Sequence, residues 1–228
     1  MSNKPGKILA TSAALAVLLL GRALAADIPK DVHQIANAVD HRYNNLKSLE
    51  TGFTETYSGA GATRTETGML WLKRPGKMRW EYRQPREKLF VSDGKTAWFY
   101  VPGEPQVRKA PVKKLDDLRS PLRYLLGQTR LEKEFSGLSL APDVKPADPG
   151  NIVLRGVPKG MEDRINEVLL EVTPDWQIRR LVISEGDGAI TQFRFADQKE
   201  NVAIPDQRFK FSPPPGVETV EATEISQE

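Results

Sequence analysis

The sequence predicts a mostly β protein with added helix (α+β). It reads as an antiparallel sheet of about ten or eleven strands, curled around an apolar side, with one long N-terminal helix and small helices inserted mid-chain. Three observations carry this. Residues 68–101 pack Trp71, Trp80, Trp98, Phe90, Phe99, Tyr82 and Tyr100 into short runs punctuated by Pro75-Gly76, Pro85 and Asp93-Gly94. Helical spacing is confined to residues 26–46 and a short mid-chain stretch, and period-two patterning resumes over 151–196. This aromatic content exceeds what one half-buried face needs, so the sheet either packs on both sides or lines an apolar hollow.

Residues 1–25 read as a targeting segment. Lys4 and Lys7 precede an apolar run from Ile8 to Leu20, followed by the small-x-small site Ala23-Leu24-Ala25. The run is short of the ~20 residues a membrane-spanning helix needs. Cleavage after Ala25 and export from the bacterial cytoplasm are expected. Three of the 33 basic residues, Lys4, Lys7 and Arg22, leave with this segment, and 30 then face 30 acidic ones. That balance gives no net positive field for a nucleic-acid surface. Cysteine is absent, which excludes a thiol nucleophile, a thiolate metal site and a lipid-modified N-terminal Cys. Residues 26–228 are expected to form one domain folding on its core alone, without a membrane anchor.

Element by element, Val32, Ile35, Ala36, Val39, Tyr43 and Leu46 recur at helical spacing over 26–46, with Pro29 suited to a first turn. Thr51, Phe53 and Tyr57 then alternate with polar neighbours. Further strand runs follow near 66–73, 77–83, 88–92, 95–101 and 106–112. Asp93-Gly94 signals a hairpin of type I′, in which both central residues take positive φ. In 115–128, Ser120 can cap a short helix with Pro121 at its first position, and Leu122, Leu125 and Leu126 give it an apolar patch. Leu131 to Phe135 can add a helical turn, and 143–150 is a Pro-rich loop. Strand patterns return at 151–157, 165–172, 177–184 and 189–196, and Phe209-Lys210-Phe211 reads as a last strand. The acidic tail is expected to fray beyond about Val220.

Catalysis has no candidate constellation. His33 and His41 lie eight residues apart on the first helix, whereas helical metal pairs come at i, i+3 or i, i+4, so both read as solvent-facing. The pairs Glu162-Asp163 and Asp116-Asp117 fall in turns or helix starts. No phosphate-binding glycine loop and no Gly-x-Ser-x-Gly elbow occurs. Arg74, at the end of an apolar strand, is either a cation snorkelling to solvent or a donor into the hollow. The aromatic cluster is likewise either ordinary core or ligand wall.

Leu70-Trp71-Leu72-Lys73-Arg74-Pro75, Trp80, Val91-Ser92-Asp93-Gly94-Lys95-Thr96 and Trp98-Phe99-Tyr100 closely resemble the periplasmic outer-membrane lipoprotein carrier family LolA. Phe53-Thr54, Ser120-Pro121-Leu122, Leu125-Leu126 and Phe209-Lys210-Phe211-Ser212-Pro213-Pro214 match in the same order. The resemblance implies an unclosed antiparallel β-barrel holding a hydrophobic cavity under a helical lid. It also implies a monomeric, non-enzymatic chaperone of the periplasm with no cofactor. Such a carrier takes acylated outer-membrane lipoproteins from the inner-membrane ABC transporter LolCDE and hands them to the outer-membrane acceptor LolB. The family's functional arginine maps onto Arg74, where it holds the lid closed in the empty state. Met78 stands where family members often carry Phe. The acyl wall and lid then comprise Arg74, Met78, Trp80, Leu70, Leu72, Phe90, Trp98, Leu122 and Leu125. Three other functions are weighed against this one. LolB shares the fold but is anchored through a lipidated Cys that is absent here. A LolA-like sensor of envelope stress carries an additional domain for which the chain has no room. A periplasmic hydrolase is the rival of a different class.

Overall fold

The computed structural model describes residues 31–112 and 130–222 of the 228. The expected targeting segment, Pro29 and the expected mid-chain helix with Leu122 and Leu125 lie outside the described residues.

Helix α1 runs Val32–Asn45 and is capped by Asp31, whose carboxylate accepts the His33 amide at 2.9 Å. Its stripe of Ile35, Ala36, Val39 and Tyr43 is buried as the spacing requires, while His33 and His41 are exposed. Twelve strands follow in one sheet: β1 Ser48–Gly59, β2 Ala62–Lys73, β3 Lys77–Gln84, β4 Lys88–Asp93, β5 Thr96–Tyr100, β6 Gln106–Pro111, β7 Phe135–Leu140, β8 Ile152–Pro158, β9 Ile165–Val172, β10 Ile178–Glu185, β11 Ile190–Glu200 and β12 Glu218–Glu221. A single turn of helix, α2 (Leu131–Glu134), leads into β7, and a 3₁₀ turn covers Asp206–Phe209.

The strand order is β12-β6-β5-β4-β3-β2-β1-β11-β10-β9-β8-β7, so among the described residues β12 and β7 are the edges and the sheet does not close. One face, the inner one, packs with α1 into a single apolar core drawing on β1 through β11. Trp80 of β3 meets Phe193 of β11 edge-on at 5.9 Å, across the two strands between them. The outer face carries a smaller cluster of Trp71, Ile204 and Phe209.

Four expectations are corrected. The sheet has twelve strands, and β12 pairs with β6 in parallel, so the ladder is not wholly antiparallel. Phe209-Lys210-Phe211 is not a strand: Phe209 ends the 3₁₀ turn and fills the outer cluster, where its burial decides the local geometry. Strand β7 was not foreseen, and β12 carries pairing through Glu221, just past the point where fraying was expected. At Asp93-Gly94 only Gly94 takes a positive φ, +95°, while the Asp93 carboxylate gathers the amides of Lys95 and Thr96, each at 2.8 Å. The two-residue turn with both φ positive is Ala60-Gly61, at 48° and 77°.

Candidate functional site

Strand parity and register build the inner face of β1–β5 in rows. The first row joins Leu49, Leu72, Met78 and Ser92, beside the turn that holds Arg74. The second joins Thr51, Leu70, Trp80, Phe90 and Phe99. The third joins Phe53, Gly68, Tyr82 and Lys88, and the fourth pairs Glu55 with Glu66 toward the Ala60-Gly61 turn. Leu70, Leu72, Trp80 and Phe90 are buried here, with Met78 packed against them, and α1 contributes to the same core. The indole of Trp80 lies 4.7 Å from Phe53 and 6.3 Å from Tyr82.

Trp98 is not on this wall. Its pairing with Val91 and Lys109 puts it on the outer face, where its ring sits 6.3 Å from Phe211 and Tyr100 joins it at 5.8 Å. Ala97 and Phe99, of the opposite parity, supply the inner face of β5.

Arg74 donates from Nη2 to the carbonyl of Tyr43 at 2.7 Å, and its amide donates to Lys47 O at 3.0 Å. Among the described residues it therefore fastens the end of β2 to the last turn of α1. A cation there also meets the negative end of the helix dipole. The Tyr43 phenol reaches the other side of the core, accepting the Ile178 amide at 2.8 Å, and burial pushes its pKa well up.

The last rows contain polar side chains not singled out from sequence. Tyr82 donates to Glu55 Oε2 at 2.6 Å, Lys88 Nζ donates to Glu66 Oε2 at 2.7 Å, and Arg64 Nε stands 3.2 Å from the same oxygen. Lys88 also lies over the Tyr82 ring at 4.5 Å. Glu55, Glu66 and Lys88 are all buried. Burial raises the Glu55 carboxyl above its ordinary value; the Tyr82 hydrogen bond opposes this and the Glu66 charge adds to it. A groove of about 340 Å³ opens around Gly52, Phe53, Gly68, Arg180, Arg194 and Phe195, a lining that mixes apolar and cationic side chains. Among the described residues, no group of three or more His, Cys, Asp or Glu could hold a metal ion. Nor is any described helix long and apolar enough to cross a membrane.

The profile of the outer membrane lipoprotein carrier protein LolA matches residues 44–212, the stretch that builds nearly all of this wall. The chain belongs to the LolA family. An outer-membrane lipoprotein carrier protein of Nitrosospira multiformis is 32% identical over 181 residues, covering 77% of this chain and 83% of the relative. One from Sodalis glossinidius is 30% identical over 222 residues, covering 92% and 96%. A solved structure of an uncharacterized conserved protein from Thermus thermophilus superposes with a TM-score of 0.51 at 14% identity. It covers 83% of this chain and 98% of that one, a likeness of fold alone. Within the LolA framework, the inner wall here is apolar beside Arg74 and polar at the far end.

Proposed function

We propose that this chain carries acylated lipoproteins across the periplasm, taking them from the inner-membrane LolCDE transporter and passing them to the outer-membrane acceptor LolB. The observation that carries this is the continuous apolar inner wall of Leu70, Leu72, Trp80 and Phe90 in an unclosed sheet, covered on the same face by α1. The names of the relatives support the cargo class.

Acyl chains gain ~0.8 kcal/mol per methylene buried, so several chains represent tens of kcal/mol of gross transfer free energy. A permanently open hollow would hold such cargo too tightly to release it. A wall already occupied by the protein's own apolar side chains offsets that gain and keeps binding reversible. Arg74 favours the empty state by holding α1 in place, and Leu122 and Leu125 are proposed as part of the cover. Transfer of this kind needs competing affinities rather than catalytic groups.

Native mass spectrometry of protein isolated from the periplasm tests the proposal. Co-purifying polypeptides bearing acylated N-terminal cysteines are the expected result. Free lipids alone, or no acylated species, would overturn it.

A further inference from the structure

The inner wall has a chemical direction. From the Arg74 end toward the Ala60-Gly61 turn, successive rows run Leu49–Leu72–Met78, then Leu70–Trp80–Phe90, then Phe53–Tyr82–Lys88, then Glu55–Glu66. Hydrocarbon gives way to a buried belt of two carboxylates, an ammonium and a phenol. A wall meant only for acyl chains gains nothing from such a belt, because buried ion pairs are commonly no more stable than apolar residues of the same volume. At the border of the two zones Trp80 is 1% exposed, and among the described residues its Nε1–H has no acceptor. Buried donors without partners are rare, and this one sits one residue pair from the belt.

We propose that, granting the carrier function above, Glu55, Tyr82, Lys88, Glu66 and the Trp80 indole N–H form a subsite for the polar junction of the cargo. This junction is the glycerol ester and cysteine amide groups that join acyl chains to peptide. Trp80 Nε1–H and the Lys88 ammonium donate to carbonyl oxygens, while the Glu55 and Glu66 carboxylates accept amide N–H. The cargo is thereby oriented, with its tails toward Arg74 and its peptide leaving by the Ala60-Gly61 end. Among the described residues the belt satisfies itself through Tyr82–Glu55 and Lys88–Glu66, and the neighbouring indole N–H is left without an acceptor.

The full chain, labelled with ¹⁵N at its tryptophan indoles, provides the test, with the Trp80 signal assigned from Trp80→Phe. A synthetic triacylated cysteinyl lipopeptide is compared with diphenylhexatriene, a dye that is pure hydrocarbon. The lipopeptide should move the Trp80 indole proton downfield and the dye should not. Glu55→Gln and Glu66→Gln should each weaken the lipopeptide about tenfold, as expected for loss of a hydrogen bond involving a charged group, while dye binding stays within about twofold. Retained dye binding also shows that each variant is folded. Lipopeptide binding with an unmoved Trp80 signal, or equal weakening of both ligands, overturns the subsite and leaves the carrier function standing. Failure of both ligands to bind the unaltered protein overturns the two together.

Discussion

The guanidinium of Arg74 reaches the Tyr43 carbonyl at 2.7 Å, closing the last turn of α1 onto the end of β2. Since this charged donor is partly buried, its removal should loosen the helix by about 1.5–3 kcal/mol. Arg74→Leu should lower the urea midpoint and speed amide exchange in the last turn of α1. Arg74→Lys should fall between, because a point charge keeps the attraction to the helix end but loses the fork. Exchange at Tyr43–Leu46 equal to wild type would show that the bond contributes nothing to docking the helix.

Gly68 cannot carry a side chain. A Cβ there would lie 1.8 Å from the Glu81 carbonyl oxygen and 2.8 Å from Phe53 Cε1, at a register shift between β2 and β3. Backbone has to move, so Gly68→Ala should cost about 2–3 kcal/mol in chemical unfolding, at the upper end of overpacking effects. A loss smaller than that of an exposed strand substitution would mean the strands separate freely here.

Ala60 occupies the left-handed region at φ 48° in the β1–β2 turn. Left-handed backbone is unfavourable for a residue with Cβ, and asparagine or glycine suits this turn better. Ala60→Gly and Ala60→Asn should each raise stability by about 0.5–1 kcal/mol, read as a higher melting temperature. A fall in melting temperature for both would contradict the turn geometry.

Asp206 binds Lys73 at 2.6 Å and Lys77 at 2.7 Å, and the hydrogen bonds to these two lysines lower its carboxyl to about 2. A carboxyl depressed in the folded state adds stability that is complete above its unfolded value of 3.8 and fades as pH falls toward 2. The segment it holds also stacks Arg208 on Trp71 at 4.4 Å. The Trp71 indole signal should therefore hold steady from pH 6 to about 4 and shift as pH nears 2. In Asp206→Asn that acid transition should shrink to the part contributed by Glu50, which accepts the Trp71 indole N–H at 2.9 Å, and an unchanged transition would remove Asp206 as its cause.

Much of the fold was legible because turn residues punctuate it. Period-two runs between Pro-Gly, Asp-Gly and Pro signals located β1–β6 and β8–β11 to within a few residues, and helical spacing located the buried stripe of α1. Strand β7 was hidden because α2 runs into it without a turn and Gly137 breaks its pattern. Strand β12 was hidden because Glu218-Thr219-Val220-Glu221 has almost no apolar signal, and only its distant partner β6 makes it a strand. Side-chain type alone puts Trp98 on the wall, whereas its alternation with Ala97 and Phe99 gives it the opposite parity. The polar belt was missed for the converse reason. Glu55, Glu66 and Lys88 look like surface residues, yet they share parity with Phe53, Leu70 and Phe90.

Among the described residues, both margins of the sheet are poor templates for adding a further chain. At one end β12 presents Glu218 and Glu221, charges that discourage a neighbouring ladder. At the other, β7 is broken by a shift of register between Ser136 and Ser139 around Gly137, which holds φ at 64°. Under the carrier function proposed above, a molecule that parts its apolar core from its cover to take cargo would risk fibre growth each time it did so. Blunted edges leave such an opened molecule free to reclose or fill, and make stacking into filaments the less favourable course.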